Sequence, residues 1–125
     1  MYVFMKEGPI HIVQHRDEEN TTLVRGWSKT ALERFADPGS SDGSGPGPTP
    51  EQVQFWYDEK ADYCWRMTMP TEFAEQCLAA AFSRIDYTSL KAGVADLGDD
   101  EYYDQLVAVH GLCKKLMDNR RCLQR

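Results

Sequence analysis

Between residues 62 and 85 the hydrophobic repeat changes period at a single proline. That switch constrains the fold more than any other feature of the chain. Residues 62–69 alternate, with Tyr63, Trp65, Met67 and Met69 on one side and Cys64, Arg66 and Thr68 on the other. Period two with aromatics is the pattern of a half-buried strand. Pro70 ends it, because proline brings no N–H to a ladder and restricts the residue before it. Thr71 is expected to cap a helix, with Glu72 and Glu75 near its positive end. Phe73, Ala74, Cys77, Leu78, Ala81, Phe82 and Ile85 then recur at three-and-four spacing, one apolar stripe. Asp86 is placed to cap a further helix through Tyr87, Leu90, Lys91 and Val94.

The flanking chain supplies more strands and helices. Residues 2–6 and 10–15 alternate on either side of the turn signal Gly8-Pro9, and 21–27 alternate again. Short connections imply an antiparallel meander. Ser28 caps a short helix over 29–36, which contributes Leu32 and Phe35. Asp37-Pro38 stops it. GSSDGSGPGPTP follows at 39–50, a flexible loop (38–50) rather than a domain boundary, since neither side alone has enough core. Residues 52–58 alternate and pair with 62–69 through Glu59-Lys60-Ala61. After Gly98, Asp99 or Asp100 caps a last helix with Tyr102, Tyr103, Leu106, Val109, Cys113, Leu116 and Met117 on one stripe; residues 119–125 are expected to fray. The expected fold is α+β: an antiparallel sheet of four to five strands, with three to four helices packed mainly on one face, in one domain over 1–125.

Charge limits the partners. The residues from Lys114 onward carry a net +4, which leaves −10 on the rest of a chain whose total is −6. An acidic body disfavours binding to a phosphate backbone. The basic end suits the C-terminal end of its own helix better than nucleic acid. No apolar run reaches the ~18–20 residues of a membrane span, and the first ten residues lack a basic n-region and cleavage site, so no membrane association is expected. Cys64, Cys77, Cys113 and Cys122 show no C-x-x-C spacing. Reduced thiols in the cytoplasm follow, with the first three at or near the core and Cys122 exposed.

Chemistry-bearing groups are sparse. His11 and His15 lie four apart on a strand, roughly 13 Å at ~3.3 Å per residue, too far to share one ion. No metal and no cofactor is expected: neither G-x-G-x-x-G nor a P-loop is present. Cys64, His110 and an Asp could form a nucleophilic site only if the fold gathered them.

The segments M-Y-V-F, Ile12-Val13-Gln14, Leu23-Val24-Arg25 with Ala31-Leu32-Glu33-Arg34-Phe35, Ala61-Asp62-Tyr63 with Arg66 and Pro70, and Ile85-Asp86-Tyr87 with Leu90-Lys91 resemble a family of small uncharacterised bacterial proteins. Its members share a V-R strand, a D-Y-x-x-R strand, an I-D-Y-x-x-[FL]-K helix and a Tyr-bearing final helix. The resemblance spans nearly the whole chain outside 39–50. It implies the order of elements, and no reaction, because the family has no assigned activity. Where the family's final helix carries a Trp, this chain has His110-Gly111.

The favoured function is a non-catalytic protein-interaction module, an accessory subunit or inhibitor. One form is a phage or mobile-element inhibitor, whose acidic surface occupies the basic channel of a nucleic-acid-handling defence complex. Candidate partner-binding residues are Trp56, opposite Phe55 and Tyr57 on its strand, and the acidic cluster Asp99, Asp100, Glu101 and Asp104. The alternative is a small enzyme or ligand-binding protein with a pocket between sheet and helices formed by Tyr63, Arg66, Asp86 or His110.

Overall fold

The computed structural model describes residues 1–39 and 51–123. The loop expected at 38–50 lies outside these beyond Gly39, as do Gln124 and Arg125 of the basic end. Among the described residues there are five strands and four helices: β1 (Tyr2–Met5), β2 (Gly8–Gln14), β3 (Thr21–Gly26), α1 (Lys29–Phe35), β4 (Gln54–Tyr57), β5 (Trp65–Pro70), α2 (Thr71–Ser83), α3 (Leu90–Leu97) and α4 (Asp100–Leu123). The protein is α+β with an antiparallel sheet, in the order β1-β2-β3-β5-β4. The meander β1-β2-β3 and the hairpin β4-β5 join where β3 pairs with β5. No helix among the described residues is long and apolar enough to cross a membrane.

The chain divides into two compact units, Met1–Asp86 and Tyr87–Arg125. In the first, α1 and α2 cover one face of the sheet. Their Leu32, Phe35, Phe73 and Cys77 join Ile10, Val24, Met67 and Met69 in one core. Alternation explains the strand contributions, because residues two apart share a face. Gly26 lets α1 come close: a Cβ there would sit 3.0 Å from Leu32 Cδ1 and 3.1 Å from the Pro9 carbonyl oxygen. Ser28 caps α1, its Oγ accepting from the Ala31 N–H at 3.3 Å. Arg84 closes the other end, donating to the carbonyls of Asp37 (3.2 Å) and Arg34 (3.3 Å). The Arg34 carbonyl also accepts from the Asp37 N–H at 3.3 Å, so the guanidinium adds to a helix end that the backbone already closes in part.

Several expectations change at α2. Thr71 does not cap it; Pro70 holds the N-cap position without a side-chain bond. Pro70 still pairs with Thr21 as the last residue of β5, and the helix begins directly at Thr71, one residue earlier than a Thr71 cap implies. The Thr71 hydroxyl instead meets that of buried Thr22 at 2.9 Å. Phe82 and Ile85 leave the stripe and are exposed. At about 100° per residue Phe82 lies roughly opposite Phe73, and Ile85 lies beyond the helix end. Asp86 caps nothing. Its carboxylate pairs with Lys6 at 3.0 Å, and α3 begins only at Leu90, after Ser89.

In the second unit Val94 of α3 packs with Tyr102 and Leu106 of α4, flanked by Leu90 and Tyr103. Gly98, with φ 76°, ends α3 in the left-handed conformation, the usual glycine stop. Asp99 then caps α4, its Oδ1 accepting from the Tyr102 N–H at 3.0 Å. Cys113 is exposed, not near-core, because it lies on α4 beyond the stretch that packs with α3.

The close approach of α1 is open to test by urea unfolding. Gly26→Ala is expected to lose ~1–3 kcal/mol by overpacking, and Phe35→Ala ~3–5 kcal/mol by leaving a cavity. A Gly26→Ala variant as stable as the parent would show that α1 is free to move outward.

Candidate functional site

The face of the sheet away from α1 and α2 carries the opposite set of alternating residues. Strand register aligns them into one row across all five strands: Tyr2 opposite His11, His11 opposite Arg25, Arg25 opposite Arg66, and Arg66 opposite Trp56. A second row, Val13, Leu23, Thr68 and Gln54, runs beside it. Tyr2, Trp27 and Trp56 are well exposed, at 54%, 54% and 40%.

Tyr63 organises this face. The sequence pattern groups it with Trp65, Met67 and Met69 toward the core. The structure places it on the other side, because β5 begins only at Trp65 and residues 61–64 bend. Its ring stacks between His11 (centroids 5.3 Å apart) and Trp27 (4.7 Å). Its hydroxyl hydrogen-bonds that of Tyr2, whose ring stacks on His11 at 4.4 Å. The bond to Tyr2, then burial, raises the Tyr63 pKa, so the phenol stays protonated at neutral pH. The Trp27 indole N–H donates to the Asp62 carbonyl at 2.8 Å, fixing the far end of the stack.

Two guanidinium groups sit inside this aromatic frame. Like charges directly opposite on neighbouring strands destabilise a sheet, so Arg25 and Arg66 each need a counterweight. Arg25 lies over the Tyr63 ring, 4.8 Å from its centroid, and its Nε donates to His11 Nδ1 at 2.9 Å. Arg66 donates from Nη2 to Asp62 Oδ1 at 3.3 Å and from Nε to the Tyr63 carbonyl at 3.3 Å. Burial first, then the Arg25 charge, lowers the His11 pKa and keeps that imidazole a neutral acceptor. Past Trp56 the face runs into a groove of about 400 Å³, lined by His15, Asn20, Gln54, Trp56 and Thr68 among others.

The remaining candidates are dispersed. Of the alternative pocket, Tyr63 and Arg66 are in contact, Asp86 pairs with Lys6 in the β1–β2 turn, and His110 belongs to α4 in the second unit. None of the four lines the groove beside Trp56. Asp99 caps α4, and Asp100, Glu101 and Asp104 follow in its first turns. Among the described residues no three His, Cys, Asp or Glu side chains could hold a metal ion. His15 Nδ1 accepts from the Asp17 and Glu18 N–H groups, at 3.2 and 3.1 Å. Cys64 and His110 lie in different units. Burial pushes the Cys77 thiol up to about 11, so it is not a thiolate at neutral pH. The side chain of Cys122 lies outside the described residues.

Sequence reasoning missed Tyr2, His11, Arg25 and Trp27 as members of the site. Their alternation was visible, but the row depends on register. Comparison with known proteins finds no matching family model, no matching curated sequence and no matching solved structure. The site therefore stands on its own geometry.

The neutral His11 carries a pH signature. Its folded pKa lies below the ordinary 6.5, so the unfolded chain takes up the proton first. Its contribution is intact above pH 6.5 and is lost as pH falls below that value. Thermal unfolding between about pH 7.5 and about pH 5.5 should therefore lower Tm more in the parent than in His11→Gln. Equal losses would mean that the fold does not hold His11 neutral.

Proposed function

We propose that this protein is a non-catalytic interaction module that grips an acidic segment of a partner protein on the open face of its sheet. The row Tyr2–His11–Arg25–Arg66–Trp56 carries this reading. Trp, Tyr and Arg are the residue types that dominate binding hot spots. Here they converge on a sheet face that neither α1 nor α2 covers.

Asp62 supplies the chemistry of the ligand. Its carboxylate, 73% exposed, reaches Arg66 from within the chain. A partner carboxylate would compete for the same guanidinium and shield Arg25 from Arg66. Trp27 and Trp56 offer apolar surface on either side, and the groove beside Trp56 has room for a neighbouring side chain. The acidic cluster of α4 favours this reading less, since Asp99 is occupied in starting the helix.

Parallel affinity capture from host lysate with three baits tests the proposal. The parent should retain a protein that Arg66→Glu loses. Asp62→Asn should retain it more strongly, because the internal competitor is gone while its Oδ1 can still accept from the Tyr63 N–H. Retention should weaken with salt, as expected for partly exposed charges. A partner held equally by all three baits, or one released by nuclease, would defeat the proposal; the second result would point to single-stranded nucleic acid stacked on the aromatics.

A further inference from the structure

The groove beside Trp56 is built differently from the arginine row. In sheet order β5 runs between β3 and β4. Thr68 and Pro70 of β5 therefore lie in the middle of the groove, with Gln54 and Trp56 of β4 on one side. His15, Glu18 and Asn20, from the connection between β2 and β3, line the other. That connection is tied down at both ends. The His15 N–H donates to the Thr21 carbonyl at 2.9 Å. Asn20, at φ 57°, takes the left-handed conformation that Asn tolerates, and its carbonyl accepts from the Thr71 N–H at 2.8 Å. The wall is thus anchored to the first residue of α2.

The lining narrows the ligand by charge and by chemistry. None of the described lining residues is Lys or Arg, and Glu18 brings a negative charge, so a phosphate or carboxylate finds no counter-ion there. Trp56 is the one large ring among them, too little apolar surface for an extended hydrophobic ligand. The rest is mostly neutral hydrogen-bonding groups. Among the described residues, the side chains of Glu18, Asn20, Gln52, Gln54 and Thr68 have no hydrogen-bond partner within the chain. Each amide offers an acceptor oxygen and two N–H donors. His15 Nδ1 already accepts from the Asp17 and Glu18 N–H groups, which leaves Nε2–H as the ring's donor.

We infer that this groove binds a neutral saccharide, one sugar ring stacked on Trp56 and its hydroxyls held by Gln54, Asn20 and Glu18. A sugar ring has an apolar C–H face, which the negative face of the indole attracts. Its rim is hydroxyls, each both donor and acceptor, and these match amides and a carboxylate. A volume of about 400 Å³ lies within the range of small-molecule sites. A nucleobase would stack on the same ring, but the phosphate of a nucleotide would meet Glu18 and no cation in the groove. Arg66 and Asp62 do not line the groove, so this site goes beyond the acidic-segment reading and is separate from it.

The test titrates the isotope-labelled full chain, followed by NMR, with short malto-, cello- and N-acetylated chito-oligosaccharides. At least one series should saturate shifts of the Trp56 indole and of the Gln54 and Asn20 side-chain amides at millimolar concentration or below. Trp56→Ala should weaken that binding roughly tenfold or more, as expected of a hot-spot aromatic. Trp56→Phe, which keeps a ring, should retain most of it. Gln54→Ala should weaken it as well. Trp56 and Gln54 are exposed, so circular dichroism should be unchanged in all three variants. Arg66→Glu should bind the saccharide as the parent does, so failure on the arginine row and failure in the groove are told apart. The inference is overturned if none of the three series moves these resonances, or if Trp56→Ala binds as tightly as the parent. Tighter binding of adenosine or uridine at the same resonances would overturn it too, and would assign the groove to a base.

Discussion

The docking of α1 on the sheet is the constraint on which the first unit depends. Leu32 and Phe35 are fully buried against strands that contribute Ile10, Val24 and Met67, and burial of each such side chain stabilises by roughly 1.5–3 kcal/mol. The contact is short-range because Gly26 has no Cβ. Gly8, at φ 143°, lies under the same helix: a Cβ there would come 3.2 Å from Ala31 Cβ. At the end of α1, Arg84 arrives from the end of α2 and adds donors to the Arg34 and Asp37 carbonyls. One helix thus fixes the sheet, and the second helix completes the first.

That arrangement dictates the opposite face. With α1 and α2 both on one side, the other side must be closed by residues of the strands and their connections. Tyr63 does this by turning back over β2 and β3, between His11 and Trp27. It also shields Arg25, a cation at the centre of the sheet that pairs with no carboxylate among the described residues. Cation–π contacts of this kind contribute about 0.5–2 kcal/mol depending on desolvation. Arg66 is held by a carboxylate that is itself mostly exposed and by the Tyr63 carbonyl. The two arginines are therefore held differently: Arg25 by a ring and an imidazole, Arg66 by a solvent-facing carboxylate and a main-chain carbonyl.

Much of the fold was legible because alternation and three-and-four spacing report directly on which side of an element is buried. Ile10, Val24, Met67, Leu32, Phe35 and Cys77 all sit where their periods put them. Two of the errors share one cause: periodicity says nothing about where an element begins. Counting alternation from Asp62 assigned Tyr63 to the core, because the bend at 61–64 leaves no local sequence mark. Asp86 looked like a cap because Asp before a helix often is one; the Lys6 ammonium, eighty residues away in sequence, holds it instead. Trp56, Tyr63 and Arg66 could be named one at a time. Their union with Tyr2, His11 and Arg25 could not, since four strand registers have to be known before a row exists.

The charge of the whole chain sharpens what the open face can accept. Residues 1–86 contain eight Lys and Arg against fourteen Asp and Glu. Elsewhere on this unit an acidic segment meets mostly its own sign of charge. At the open face it meets two guanidinium groups, with Asp62 as the carboxylate paired to one of them. Discrimination then comes from repulsion everywhere else as much as from attraction at one place. A long phosphate backbone gains little from the same surface, because counterion release scales with the number of phosphates neutralised and two cations neutralise few. A short acidic stretch flanked by apolar side chains matches both the two charges and the aromatic frame around them. The acidic body and the small basic site thus act together as a filter for length as well as for sign.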